Sequence, residues 1–273
     1  MPNSIGCVPF YLQSLRRIQL VKPLVVQFEE IFSQVSMIPK HVHSFVNGMK
    51  HFNKGNFELA LEHFEKATSN MAESEEEIPP AQAAMTYCYK AMSLISLKNW
   101  NAVLAASSRG LELEKTIPKL WFCQSLAWEN LQDFSAALVS AETGLDNTDQ
   151  NWNFEDQGLF GGRFRFRCFV ELWGRKAFAY IKLGKFKLGL EAAQNGLKFE
   201  KTLDLVEAKL LALLRLERFN ECVVAADAAL QHWPTSVELW KSKTVSHGQL
   251  MQLNDALLSA SEGLKHDLSL IHI

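Results

Sequence analysis

One twelve-residue pattern occurs six times along the chain, and a fixed internal period restricts the possible folds more than any other feature of the sequence. FELALEHFEKAT from Phe57, WNAVLAASSRGL from Trp100, FSAALVSAETGL from Phe134, FKLGLEAAQNGL from Phe186, FNECVVAADAAL from Phe219 and LNDALLSASEGL from Leu253 align without gaps. Their first residues lie 43, 34, 52, 33 and 34 positions apart, which is a 34-residue unit with one insertion before the second copy and a longer one before the fourth. Within the first copy, Phe57, Ala60, Phe64 and Ala67 recur at steps of three and four, the spacing of one face of an α-helix.

A second helical pattern precedes each copy. Thirteen positions before the leading residue stand Ser44, Tyr87, Trp121, Trp173, Val206 and Trp240, of which only the first is small. Ten positions after the leading residue stand Ala67, Gly110, Gly144, Gly196, Ala229 and Gly263, all small. Small residues at recurring positions let two helix backbones approach while large ones fill the space beside them, so each unit reads as a helical hairpin. A generic helical bundle has no reason to repeat at a fixed period.

These residues resemble the tetratricopeptide repeat, a 34-residue helix-turn-helix unit with an aromatic in the first helix, glycine and an aromatic at the turn, and small residues in the second helix. The resemblance covers residues 42–265. Its clearest turns are Lys54, Gly55, Asn56, Phe57 and Leu183, Gly184, Lys185, Phe186. Turn glycines are missing from the other four copies, whose turns are expected to vary, and the proline that closes each unit in the family survives only as Pro234. The resemblance implies an all-α, right-handed superhelical solenoid of six repeats, with copies near 41–70, 84–117, 118–145, 170–202, 203–236 and 237–267. The tryptophans at these positions are then core rather than cofactor-binding residues.

The chain has 273 residues, of which 48% are hydrophobic and 21% charged, enough apolar material for a large core. A formal net charge of −2 supplies no global field toward nucleic acid or a membrane surface. The five cysteines are dispersed and form no C-x-x-C pair, which suits free thiols in a reducing compartment. No apolar run reaches the length of a membrane-spanning helix. A cytoplasmic protein is expected. The first 28 residues hold Arg16, Arg17 and Lys22 but no acid, a weak match to a mitochondrial presequence that Pro9 and Pro23 interrupt.

Outside the repeats, residues 1–22 form an extension. Residues 23–40 read as a capping helix, with Pro23 near its start and Val25, Phe28, Phe32 and Val35 on one face. The acidic insertion 71–83 reads as a linker. The insertion 146–169 ends in an Arg/Phe alternation which, if extended, puts Arg163, Arg165 and Arg167 on one side and Phe164 and Phe166 on the other. With Arg175 and Lys176 these arginines make a candidate patch for an acidic partner; the plainer reading is a solvated basic face. The last six residues, LSLIHI, break the pattern and read as the translation of a sequencing adaptor, so 268–273 is expected to be a scar and the native chain to continue past Asp267.

In the tetratricopeptide family the second, fifth, ninth, twelfth and thirteenth positions of each unit mainly face a peptide-binding groove. Carried over by register, the first copy supplies Val42, Phe45, Met49, Phe52 and Asn53, and the second Met85, Cys88, Met92, Ile95 and Ser96. The third supplies Lys119, Phe122, Leu126, Glu129 and Asn130. The family's carboxylate clamp would fall on Phe45, Met49, Tyr89, Phe122 and Leu126, none of which forms a charge-assisted hydrogen bond to a carboxylate. The expectation is a non-enzymatic adaptor or scaffold that binds an apolar helix or extended segment of another protein, without cofactor or metal. The alternatives are the targeting module of a larger enzyme and a chaperone cofactor that does not use the clamp. His41, His43, His51 and His63 cluster in sequence but lack the carboxylate or cysteine pattern of a metal or nucleophile site.

Overall fold

The computed structural model describes residues 39–74, 77–148 and 161–267. The expected extension 1–22, nearly all of the capping helix 23–40, the scar 268–273, Glu75 and Glu76 of the first insertion and residues 149–160 of the second lie outside them. The described residues form twelve α-helices and no strand. They fall into two compact units that divide between Lys98 and Asn99.

The first unit contains α1 (Lys40–Asn53), α2 (Phe57–Ala72) and α3 (Pro80–Ser96). α1 and α2 form the first hairpin, and α3 packs on α2. Phe64 is fully buried, with its ring 5.8 Å from Phe45 and 5.9 Å from Tyr89, so the apolar stripe read from 57–67 is the inner face of α2. Gly48 on α1 admits this ring: a Cβ there would lie 2.6 Å from Phe64 Cε1.

The second unit contains α4 (Trp100–Leu113), α5 (Pro118–Asn130), α6 (Phe134–Asn147), α7 (Gly162–Lys182), α8 (Phe186–Leu197), α9 (Leu203–Arg215), α10 (Phe219–Leu230), α11 (Val237–Gln249) and α12 (Leu253–His266). Here α5/α6, α7/α8, α9/α10 and α11/α12 are hairpins, and the first helices α5, α7, α9 and α11 pack each against the next. Asn99, Asp133 and Ser236 cap α4, α6 and α11 by accepting a hydrogen bond from a backbone N–H in the first turn.

The large and small residues of the third, fourth and sixth copies meet inside their hairpins. A Cβ on Gly144 would lie 2.6 Å from Trp121 Cβ, and one on Gly196 or Gly263 would lie 2.8 Å from the Cβ of Trp173 or Trp240. The fifth copy reverses both choices, with Val206 and Ala229 in one core cluster. Trp121 Nε1 and Trp240 Nε1 each donate to a backbone carbonyl six residues upstream, Lys115 and Pro234, at 2.8 Å. Trp173 departs from this pattern, and its buried indole N–H meets no hydrogen-bond acceptor among the described residues. The residue six before it, Arg167, lies within α7, whose own backbone ladder uses that carbonyl.

Two sequence expectations are corrected. Residues 163–167 are helical, not extended, because no proline interrupts 162–182 and its backbone nowhere turns left-handed; α7 begins ahead of the fourth repeat's register and lengthens its first helix. The turns without glycine also do not vary. Lys98, Gln132, Glu217 and Met251 have φ of 57, 66, 58 and 59°, the left-handed region that Gly55 and Gly184 occupy at 80 and 74°. The hydrogen bonds explain this constancy: the N–H groups of Asn56, Asp133, Lys185, Arg218 and Gln252 each reach back five residues to a carbonyl, at 2.9–3.0 Å. That closure needs a left-handed residue whatever its side chain.

Candidate peptide-binding faces

In the first unit, the register places Val42, Phe45, Met49 and Phe52 on α1 and Met85, Cys88, Met92 and Ile95 on α3. Met49, Phe52, Cys88 and Met92 are buried, whereas Val42, Phe45, Met85 and Ile95 are half-buried. Tyr89 organises this face, its ring lying 5.8 Å from Phe45, 5.5 Å from Phe52 and 5.9 Å from Phe64. An aromatic cluster therefore stands where the family's carboxylate clamp would place polar side chains.

In the second unit, Phe122 is buried and Leu126 half-buried on α5. The Arg175 guanidinium lies 5.9 Å from the ring centroids of both Phe122 and Phe178, which puts these residues of α5 and α7 on one face. The ninth position of each of these four repeats is apolar: Leu126, Phe178, Leu211 and Val245. The first three are half-buried, and Val245 is 49% exposed.

Charge on and around these helices is largely paired within the chain. Lys119 Nζ lies 2.9 Å from Glu171 Oε2, with its side chain only 3% exposed, and its ammonium sits 4.0 Å above the Phe122 ring. Arg175 Nη1 bonds Glu129 Oε2 at 2.9 Å, Lys176 meets Glu142 at 3.1 Å, and Arg167 meets Glu171 at 3.6 Å. Of the five residues of the candidate acidic-partner patch, Arg167, Arg175 and Lys176 thus have glutamate partners. Arg163 is exposed and Arg165 half-buried. None of these pairings figured in the sequence analysis, although Lys119 and Glu171 share the second position of adjacent copies, a signal that could have revealed theirs.

Glu207 on α9 was not anticipated either. Burial, with Asp204 and Glu238 nearby, raises its carboxyl to about 7, while the Ser236 hydroxyl donates to it at 3.2 Å and opposes the shift. As for nucleophiles, burial pushes the Cys123 thiol up to about 12 and raises those of Cys168 and Cys222. These three thiols are not activated. His51 and His63 stack with ring centroids 5.3 Å apart, and burial followed by the His51 charge lowers the pKa of His63. Among the described residues, no three His, Cys, Asp or Glu side chains are grouped so as to hold a metal ion, and no helix is long and apolar enough to cross a membrane.

Solved structures similar to this chain are tetratricopeptide repeat proteins. One from Parabacteroides merdae is 10% identical over 83% of this chain and 80% of its own, with a TM-score of 0.63. YrrB, a tetratricopeptide repeat protein with an unusual peptide-binding site, is 16% identical over 76% of this chain and 93% of its own, with a TM-score of 0.54. TTC0263 from Thermus thermophilus is 14% identical over 77% of this chain and 99% of its own, with a TM-score of 0.50. No protein-family model matches the sequence, and no curated protein does. At these identities the likeness establishes the fold: the chain has the tetratricopeptide-repeat fold that its 34-residue register implied.

Proposed function

We propose that this protein is a non-enzymatic adaptor or scaffold that binds an apolar helix or extended segment of another protein on the face formed by its first helices. The observation that carries this reading is the row Leu126, Phe178, Leu211 and Val245, one partly exposed apolar side chain from the first helix of each of four successive repeats. Such a row offers apolar contacts at regular intervals, while the ion pairs beside it hold their side chains in place. Val42, Phe45, Met85 and Ile95 offer the first unit a separate apolar face. A peptide-binding site is named for YrrB. An acidic partner on α7 is a weaker reading, because glutamates of this chain already engage Arg167, Arg175 and Lys176.

Selecting peptides from a random display library on the intact chain, then measuring their affinity for Leu211→Asp and Val245→Asp variants, tests the proposal. Apolar peptides that lose roughly tenfold or more in affinity to both variants support it. Peptides indifferent to both substitutions, or no enrichment at all, would refute it.

A further inference from the structure

Two histidines face each other across the α1–α2 hairpin of the first unit. His51 on α1 and His63 on α2 stack with ring centroids 5.3 Å apart and an interplanar angle of 16°. They stand six residues before and six residues after Phe57, the first residue of α2. In the other copies the same two positions hold Leu94/Ala106, Trp128/Ser140, Tyr180/Ala192, Leu213/Ala225 and His247/Ser259, a large residue against a small one each time. Only the first copy sets two imidazoles against each other.

The sixth copy shows how the fold satisfies a histidine at this position. His247 is buried, and its Nδ1 lies 2.7 Å from Gln252 Oε1. Asn56 holds the corresponding position in the first copy, yet the buried Nδ1 of His51 meets no hydrogen-bond partner among the described residues. A proton there would point at no acceptor. At His63, burial and then the charges of His51 and Lys66 oppose protonation, Glu62 favours it, and the exposed His43 opposes it more weakly. α3, which packs on α2, brings Tyr87, Cys88, Tyr89 and Lys90. None of these acts on His63: Tyr89 stacks on Phe64, and Lys90 meets Glu65 at 3.4 Å.

The sign follows. His63 in the fold holds its proton less firmly than in the unfolded chain, where the value is 6.5, so below about that pH the unfolded hairpin binds more protons and stability is lost as pH falls. Glu207 on α9 acts in the opposite sense, since burial there favours the neutral acid. We infer that the α1–α2 hairpin is an acid-operated latch: protons taken up by the His51–His63 stack loosen α1 from α2 while the helices of the second unit stay closed. α1 supplies Val42 and Phe45 to the apolar face of the first unit, so opening the latch takes that face apart whether or not a ligand occupies it.

Hydrogen exchange of the intact chain, followed by mass spectrometry near pH 8 and near pH 5 and corrected for the intrinsic rate with an unstructured peptide, tests this. The expected result is a roughly tenfold or greater loss of protection in α1 and α2 at the lower pH, with protection kept in α9 and α10. His63→Ser gives the first copy the His/Ser pair of the sixth, and His51→Phe keeps a ring in the stack. Each should match the wild type near pH 8 and hold the protection of α1 and α2 near pH 5. His43→Gln, at an exposed site, should still lose it. Equal protection of the wild type at the two pH values, a loss that both His63→Ser and His51→Phe retain, or a loss shared by α9 and α10 overturns the inference.

Discussion

Gly196 faces Trp173 so closely that a Cβ on Gly196 would lie 2.8 Å from Trp173 Cβ and 2.7 Å from Leu205 Cδ2. The contact binds the two helices of the fourth hairpin and admits the first helix of the fifth. Gly196→Ala should therefore cost about 1–3 kcal/mol by overpacking, read as a lower urea midpoint. Leu205→Ala should relieve part of that clash, because it removes the two Cδ atoms that a Cβ on Gly196 would meet at 2.7 and 2.9 Å. The double variant should be more stable than the sum of the single effects predicts, by about 1 kcal/mol or more. Strict additivity would refute the coupling.

The left-handed turn at Met251 leads to a second prediction. Met251 has φ of 59° and is 82% exposed, so its side chain contributes little packing to offset its backbone cost. Met251→Gly should stabilise the chain by up to about 1 kcal/mol, and Gly184→Ala, at φ of 74°, should lose a comparable amount. Thermal melts of the two variants should move in opposite directions.

The sequence exposed the hairpins because their signals are local: helical spacing, turn chemistry and a period sustained over six copies. The pairing of aromatics with glycine was also visible. Tyr87, Trp121, Trp173 and Trp240 share copies with Gly110, Gly144, Gly196 and Gly263, while Ser44 and Val206 share copies with Ala67 and Ala229. The environment of the face residues was not. Register alone treats Met49 and Val42 alike, yet Met49 is buried and Val42 half-buried, because burial depends on which long side chains fold back from neighbouring helices. Arg175 and Lys176 of the basic run on α7 pair with Glu129 on α5 and Glu142 on α6, 46 and 34 residues away, partners that a count of charges along α7 alone does not detect.

Lys119 and Glu171 provide the third prediction. The lysine side chain is 3% exposed and the glutamate 21%, so the two partners are unequal. Glu171→Gln leaves a buried ammonium without its carboxylate and should cost roughly 3 kcal/mol or more. Lys119→Met leaves a carboxylate that water reaches and that Arg167 still approaches at 3.6 Å, so it should cost less. Chemical denaturation of both variants checks the order; equal losses would mean that the buried ammonium is not the costly member of the pair.

Glu207 makes stability depend on pH in the sense opposite to a salt-bridged acid. Its carboxyl is raised from 4.5 in the unfolded chain to about 7 in the fold, chiefly by burial and then by Asp204 and Glu238. Between those values the native state holds a proton that the unfolded state has released, so this residue's contribution falls as pH rises from about 4.5 to about 7 and levels off above it. Lys241, 2.9 Å from Glu238, limits the repulsion from that side, and the Ser236 hydroxyl donates to the ionised form. Glu207→Gln keeps the size of the side chain and removes its titration. It should raise stability at pH 8 by about 1–3 kcal/mol, change it little at pH 5, and flatten the difference in urea midpoint between the two. The hydroxyl can donate to the amide oxygen of the glutamine, so a loss at both pH values would mean that the anion bonded to Ser236, rather than the neutral acid, is the form the fold selects.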